Sequence, residues 1–250
     1  MFGTARCPVG PRERAWIEES TAWLLAEFGA GVLLRPPVLP TAEHFPGPFD
    51  GSAQRIGELV AGLCGPFGVD PAGLLVEVEP HDPRADLMAA ELGLTVRSSG
   101  AAGHFRIERG RPVIAVDQAL AADPVALVAT VAHELGHVRL LAEHRIDPGR
   151  TDGEPLTDLL TVVFGFGVLN ANAAFTRVER DGRVGHRRLG YLTQEAYGYA
   201  LACYAQLRGE DRPGWAVHLD TNPRGYLRQG LRFLRRHPLG FTARRPRRGG

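Results

Sequence analysis

Residues 123–144 constrain this chain more than any other stretch. Val125, Ala126, Leu127, Val128, Ala129, Val131, Ala132, Leu135, Val138, Leu140 and Leu141 leave almost no polar face before Arg139, the pattern of a helix buried on most sides. Asp123 suits the N-cap, and Pro124 the first helical position, where a missing N–H costs nothing. Into this apolar rod the sequence sets His133-Glu134-Leu135-Gly136-His137. Histidines four apart on a helix leave the same face one turn apart, so both imidazoles can converge on one metal ion. Glu134 falls beside them, placed to take a proton from a water on that ion. Gly136 weakens a helix interior by about 1 kcal/mol relative to Ala, which makes sense if something must approach that backbone closely.

A tetrahedral catalytic zinc takes three protein ligands and keeps one position for water. A third ligand in the arrangement H-E-x-x-H-x-x-G-x-x-H fails here. Leu140 holds the Gly position, Glu143 the final His position, and His144 comes one residue late. With no Gly to break it, the helix is expected to carry Glu143 and His144 up the same rod, away from the metal. The alternative is an acid from a second helix. Gly153-Glu154-Pro155-Leu156-Thr157-Asp158 sets Glu154 and Asp158 four apart on one face, and Pro155 marks a helix start. Residues 144–153, rich in Pro, Gly, Asp and Arg, let the two helices fold back antiparallel and bring Glu154 to His133 and His137.

His133-Glu134-Leu135-Gly136-His137 followed by Glu154-x-x-x-Asp158 resembles the gluzincin clan of zinc metallopeptidases, over roughly residues 105–175. The resemblance implies Zn²⁺ held by His133, His137 and Glu154, with Glu134 as general base. It also implies Asp158 behind His133, where a carboxylate fixes the imidazole tautomer and raises its basicity. The segment is similar to the E-x-x-A-D of minimal gluzincins and of CAAX-protease and HtpX-type membrane proteases. Two departures stand out: Arg139 replaces a hydrophobic residue and Thr157 replaces the common Ala. Neither is expected to touch the metal chemistry.

At 250 residues and 44% hydrophobic content the chain can bury a sizeable core. The expected fold is α+β and mainly helical, zincin-like, with a small antiparallel sheet or hairpin beside the two ligand-bearing helices. The expected division is an N-terminal segment over residues 1–70, a metallohydrolase core over 71–238 and a disordered basic tail over 239–250. Cys7, Cys64 and Cys203 lack C-x-x-C spacing and read as free thiols in a reducing compartment. No apolar leader opens the chain, and the apolar run at 159–175 is interrupted by Thr161, Asn170 and Asn172, so a cytoplasmic location without a membrane span is expected.

Helices are expected at residues 11–28, with Trp16, Ser20, Trp23, Leu24 and Phe28 on one face; at 52–64, burying Ile56, Leu59, Val60 and Leu63; at 192–207; and from Asn222-Pro223 to about residue 236, with Tyr226, Leu227, Leu231 and Leu234 inward. Leu74 to Val78 reads as a strand. Residues 104–108 and 112–116 around Arg109-Gly110 read as a hairpin, whose exposed edge could align an extended peptide over the metal. Residues 177–188 read as a surface loop or hairpin, His44 and His81 as isolated loop residues, and residues 82–103 as a candidate lid. An oxyanion donor is expected from Tyr191, Tyr197 or His186, Tyr191 first.

Arg224, Arg228, Arg232 and Arg235 form a stripe that, with the arginines at 244–248, is expected to be a solvated face and a disordered tail, since no base-stacking aromatics accompany them; the alternative is contact with nucleic acid, anionic lipid or an acidic partner. Taken together, the sequence predicts a zinc-dependent hydrolase acting on peptides or proteins. The alternatives are a non-catalytic metal-binding interaction domain, which would not need Glu134, and a hydrolase of another amide or ester.

Overall fold

The computed structural model describes residues 6–45, 49–80, 103–180, 183–187 and 189–242. His81, most of the candidate lid and the terminal arginines from 244 lie outside these residues. The fold is α+β and mainly helical. In chain order the helices are α1 (Pro11–Phe28), α2 (Ala53–Phe67), α3 (Pro124–His137), α4 (Gly153–Val163), α5 (Gly167–Ala173), α6 (Gln194–Leu207) and α7 (Thr221–Leu234). The strands are β1 (Leu75–Glu79), β2 (Gly103–Glu108), β3 (Arg111–Asp117), β4 (Thr176–Arg180) and β5 (Arg183–Arg187). The chain divides into two compact units, one of Thr41–Thr157 with Ala173–Tyr191, the other of Met1–Pro40, Asp158–Asn172 and Leu192–Gly250.

In the first of these units, β2 and β3 form the expected hairpin. Its two-residue turn places Arg109 at φ 50° and Gly110 at φ 77°, the left-handed pair that twisted two-residue hairpins require. The sheet order is β1-β3-β2, with β1 parallel to β3, so the sheet is mixed rather than purely antiparallel. The hairpin joins β1 through its second strand, and that fixes the direction. Val113, Ile114, Ala115 and Val116 on the central strand are all fully buried, which explains a continuous apolar run where an edge strand would alternate.

Helix α3 is held at its start by Asp123, whose carboxylate accepts the Ala126 N–H at 3.1 Å. Its end departs from the expected rod. Val138–Ala142 widens into a single π-helical turn, the Arg145 and Ile146 N–H groups fold back to Leu140 O at 2.9 and 3.2 Å, and His144 takes φ 54°. A histidine thus does at this helix end what Gly usually does. Helix α2, capped by Ser52, runs on through Pro66 to Phe67 and leaves Leu59 half-buried. Strands β4 and β5 pair antiparallel, as a hairpin.

In the other unit α6 is buried from Ala196 to Ala205. A Cβ added at Gly198 would fall 2.3 Å from Tyr226 Cβ on α7, so only hydrogen fits where the two helices approach. Tyr199 donates a 2.5 Å hydrogen bond to Glu18 Oε1 and ties α6 to α1. The inward face of α1 centres on Ile17, Thr21 and Leu24, with Trp16 and Trp23 only half-buried at its flanks. On α7, Leu227, Phe233 and Leu234 are buried, while Tyr226 and Leu231 are half-buried. The arginine stripe lines a groove of about 400 Å³. Arg224 and Arg235 are tied to the carbonyls of Leu219 and Asp211, while Arg228 and Arg232 are exposed.

Among the described residues one stretch, Pro124–Ala142, is long and apolar enough to cross a membrane by length and composition, and 72% of it is buried inside the protein.

Candidate metal centre

Helix α3 delivers two histidines from one face. The His133 and His137 rings stand 4.7 Å apart at 86°, edge to face, with their Nε2 atoms turned toward the first turn of α4. There Glu154 Oε2 lies 3.0 Å from His133 Nε2 and 3.4 Å from His137 Nε2. The ligand atoms of His133, His137 and Glu154 all fall within 4.8 Å of one another. Two imidazole nitrogens and one carboxylate oxygen at this spacing fit a single small divalent ion, and zinc accepts that donor set. The two histidine side chains are only 12% and 10% exposed whereas Glu154 is 44% exposed, so the centre opens to solvent on the glutamate side. Desolvation works against the Glu154 charge, but the hydrogen bonds and fields of His133 and His137 outweigh it and hold the carboxyl well below the usual carboxylate range.

Glu134, between the two histidines in sequence, is 4% exposed. Burial pushes its carboxyl upward; His133 and His137 oppose that shift and Glu154 adds to it. Strand β2 lies directly against this part of α3. A Cβ added at Gly103 would stand 2.6 Å from Thr130 Cγ2 and 3.6 Å from Glu134 Cγ. The first residue of β2 is therefore glycine because α3 occupies the space.

The flanks of the centre are aromatic. Phe105 of β2 stacks on His137, with centroids 5.9 Å apart and planes at 28°. Tyr191 stacks on His133, also at 5.9 Å and at 21°. Of the two candidate oxyanion donors whose side chains are described, Tyr191 is the one beside a candidate ligand, and it is 37% exposed. Tyr197 is 1% exposed within α6, and the side chain of His186 lies outside the described residues. Asp158 is fully buried, and its Oδ2 accepts the Leu192 N–H at 3.0 Å.

Of the two departures, Arg139 donates to Gly68 O at 3.0 Å and pairs with Glu143 at 2.5 Å. Thr157 is different: its Oγ1 lies 3.4 Å from Nδ1 of His137. Thr157 thus touches a candidate ligand, a contact that the sequence reading did not foresee. Its signal was present in the sequence, since three residues after Glu154 is one helical turn.

These features define a mainly helical α+β protein with a candidate His-His-Glu metal centre. No family model matches the chain, and neither a curated protein nor a solved structure matches it.

Proposed function

We propose that this chain is a zinc-dependent hydrolase of gluzincin type that cleaves peptide bonds. One observation carries the reading: Glu154, 21 residues downstream of His133, meets both histidines of an H-E-x-x-H helix. Zinc held there would supply a Lewis acid for the substrate carbonyl and lower the pKa of water. His133, His137 and Glu154 hold the ion. Glu134 takes the proton from attacking water and passes it to the leaving nitrogen. The Tyr191 hydroxyl, on the ring stacked against His133, is the proposed donor to the developing oxyanion. Asp158 is assigned the orientation of His133, on the strength of the resemblance. Strand β2 is an edge strand among the described residues and lies against α3, so an extended peptide could add to it as a further strand.

The test is Glu134→Gln. The variant is expected to keep wild-type zinc content and lose cleavage of a peptide library; retained cleavage refutes the assigned base. A wild type fully loaded with zinc yet inert would make the chain a metal-binding interaction domain. Cleavage of small amides but not of peptides would move the substrate class.

A further inference from the structure

Thr157 is fully buried one turn into α4 and has two neighbours of consequence. Its Oγ1 lies 2.9 Å from the Gly153 carbonyl, four residues back on the same helix, and 3.4 Å from His137 Nδ1. A hydroxyl has one proton and two lone pairs. A carbonyl oxygen can only accept, so the proton goes to Gly153. Toward His137 only lone pairs remain, and that contact is a hydrogen bond only if Nδ1 carries the hydrogen. A neutral imidazole protonated at Nδ1 has its free lone pair on Nε2, the nitrogen that faces Glu154; a cation between that lone pair and the carboxylate favours this form, whereas an empty centre lets Glu154 draw an Nε2–H instead. Phe105 covers one face of the same ring, so edge and face are both fixed.

We propose that Thr157 is a positioning residue that holds His137 in the Nδ1-protonated tautomer and so presents Nε2 as a metal donor. This rests on the metal-centre reading above and adds a partner for the second histidine, which the motif resemblance does not assign. The contact is long for a hydrogen bond. A cation at Nε2 already favours the Nδ1-protonated form, so fixing the ring asks for no more than a weak bond at Nδ1. Alanine at this position would leave Nδ1 facing a methyl group, and that bond would pass to whatever water reaches it.

The experiment compares wild type with Thr157→Val, which keeps the shape and removes the hydroxyl, and with Thr157→Ser, which restores it. Zinc affinity is read by competition with a chromogenic chelator. The His137 Nδ1–H of the zinc-loaded protein is read from long-range nitrogen–proton NMR correlations and from its exchange with solvent. Thr157→Val is expected to bind zinc roughly 10–100-fold more weakly, the range found when outer partners of metal ligands are removed, and to exchange that proton faster than wild type. Thr157→Ser is expected to return to within about threefold of wild type and to restore the slow exchange. A Thr157→Val protein with unchanged zinc affinity and unchanged exchange overturns the proposal. Should the valine protein not fold, wild type decides: an Nδ1–H that exchanges as fast as that of free imidazole overturns the proposal. Should wild type take up no zinc, the metal-centre reading fails and this proposal with it, an outcome distinct from zinc bound equally well by wild type and Thr157→Val, which overturns this proposal alone.

Discussion

Glu154 Oε2 lies 3.0 Å from His133 Nε2 and reaches it from a different helix. Removing that carboxylate leaves two imidazoles on one helix face, a site one protein ligand short of a catalytic zinc centre. Wild type is expected to carry about one zinc per chain. Glu154→Ala is expected to lose more affinity than the roughly 10–100-fold that outer partners account for. Elemental analysis after dialysis against a weak chelator measures both, and full occupancy in Glu154→Ala would place the third ligand elsewhere.

Tyr191 stacks its ring on His133 and is 37% exposed. Tyr191→Phe keeps the stacked ring, so zinc content is expected to stay at the wild-type level. If the hydroxyl steadies the developing oxyanion, kcat falls by on the order of 100-fold with little change in KM, as for loss of one such donor. Equal effects on metal content and kcat would instead make the tyrosine part of the metal support.

Gly103 and Thr130 compete for one volume. Gly103→Ala is expected to cost about 1–3 kcal/mol, the usual penalty for forcing an extra methyl into a packed site. The Thr130 hydroxyl is buried without a hydrogen-bond partner among the described residues, so Thr130→Ala sacrifices no polar contact and vacates the position the new methyl needs. The double variant is expected to recover at least half of the single-variant loss. Denaturant midpoints of the four proteins read the coupling, and additive losses would mean that the Ala115 carbonyl, 3.3 Å from the added Cβ, sets the limit.

The three cysteines sort by burial. Cys203 and Cys64 are buried and Cys7 is partly exposed. Burial raises all three thiols, the Cys64 thiol to about 11, so near pH 8 only about one Cys64 in a thousand is the reactive thiolate. A disulfide reagent at that pH is expected to modify Cys7 first in the folded protein, with Cys64 and Cys203 reacting only as the protein opens. A fast second thiol in the native state would contradict this order.

Helix α3 was legible because its signals are local. Asp123, Pro124, an unbroken apolar run and two histidines one turn apart all sit within one stretch and agree. Glu154 was legible for a similar reason, being four residues before another acid at a helix start. The features that escaped depend on which elements meet. The parallel pairing of β1 with β3 follows from the hairpin joining through its second strand, and no residue of β1 announces that. Glu18 and Tyr199 are 181 residues apart and carry no shared pattern. On α1 the bulk of Trp16 and Trp23 drew the predicted face slightly away from the one centred on Ile17 and Leu24. The end of α3 was misjudged because His144 adopts a backbone conformation that its residue type seldom takes.

The two helices that carry the candidate ligands are joined by residues 143–152, exposed over 147–151, and the candidate centre links one helix to the other. An ion bound there would act as a removable cross-link, closing a chain loop that the protein must otherwise close through packing alone. Local stability at this connection would then follow the supply of metal: secure against proteases when the ion is plentiful, and the first place to be cut when a chelator takes it away.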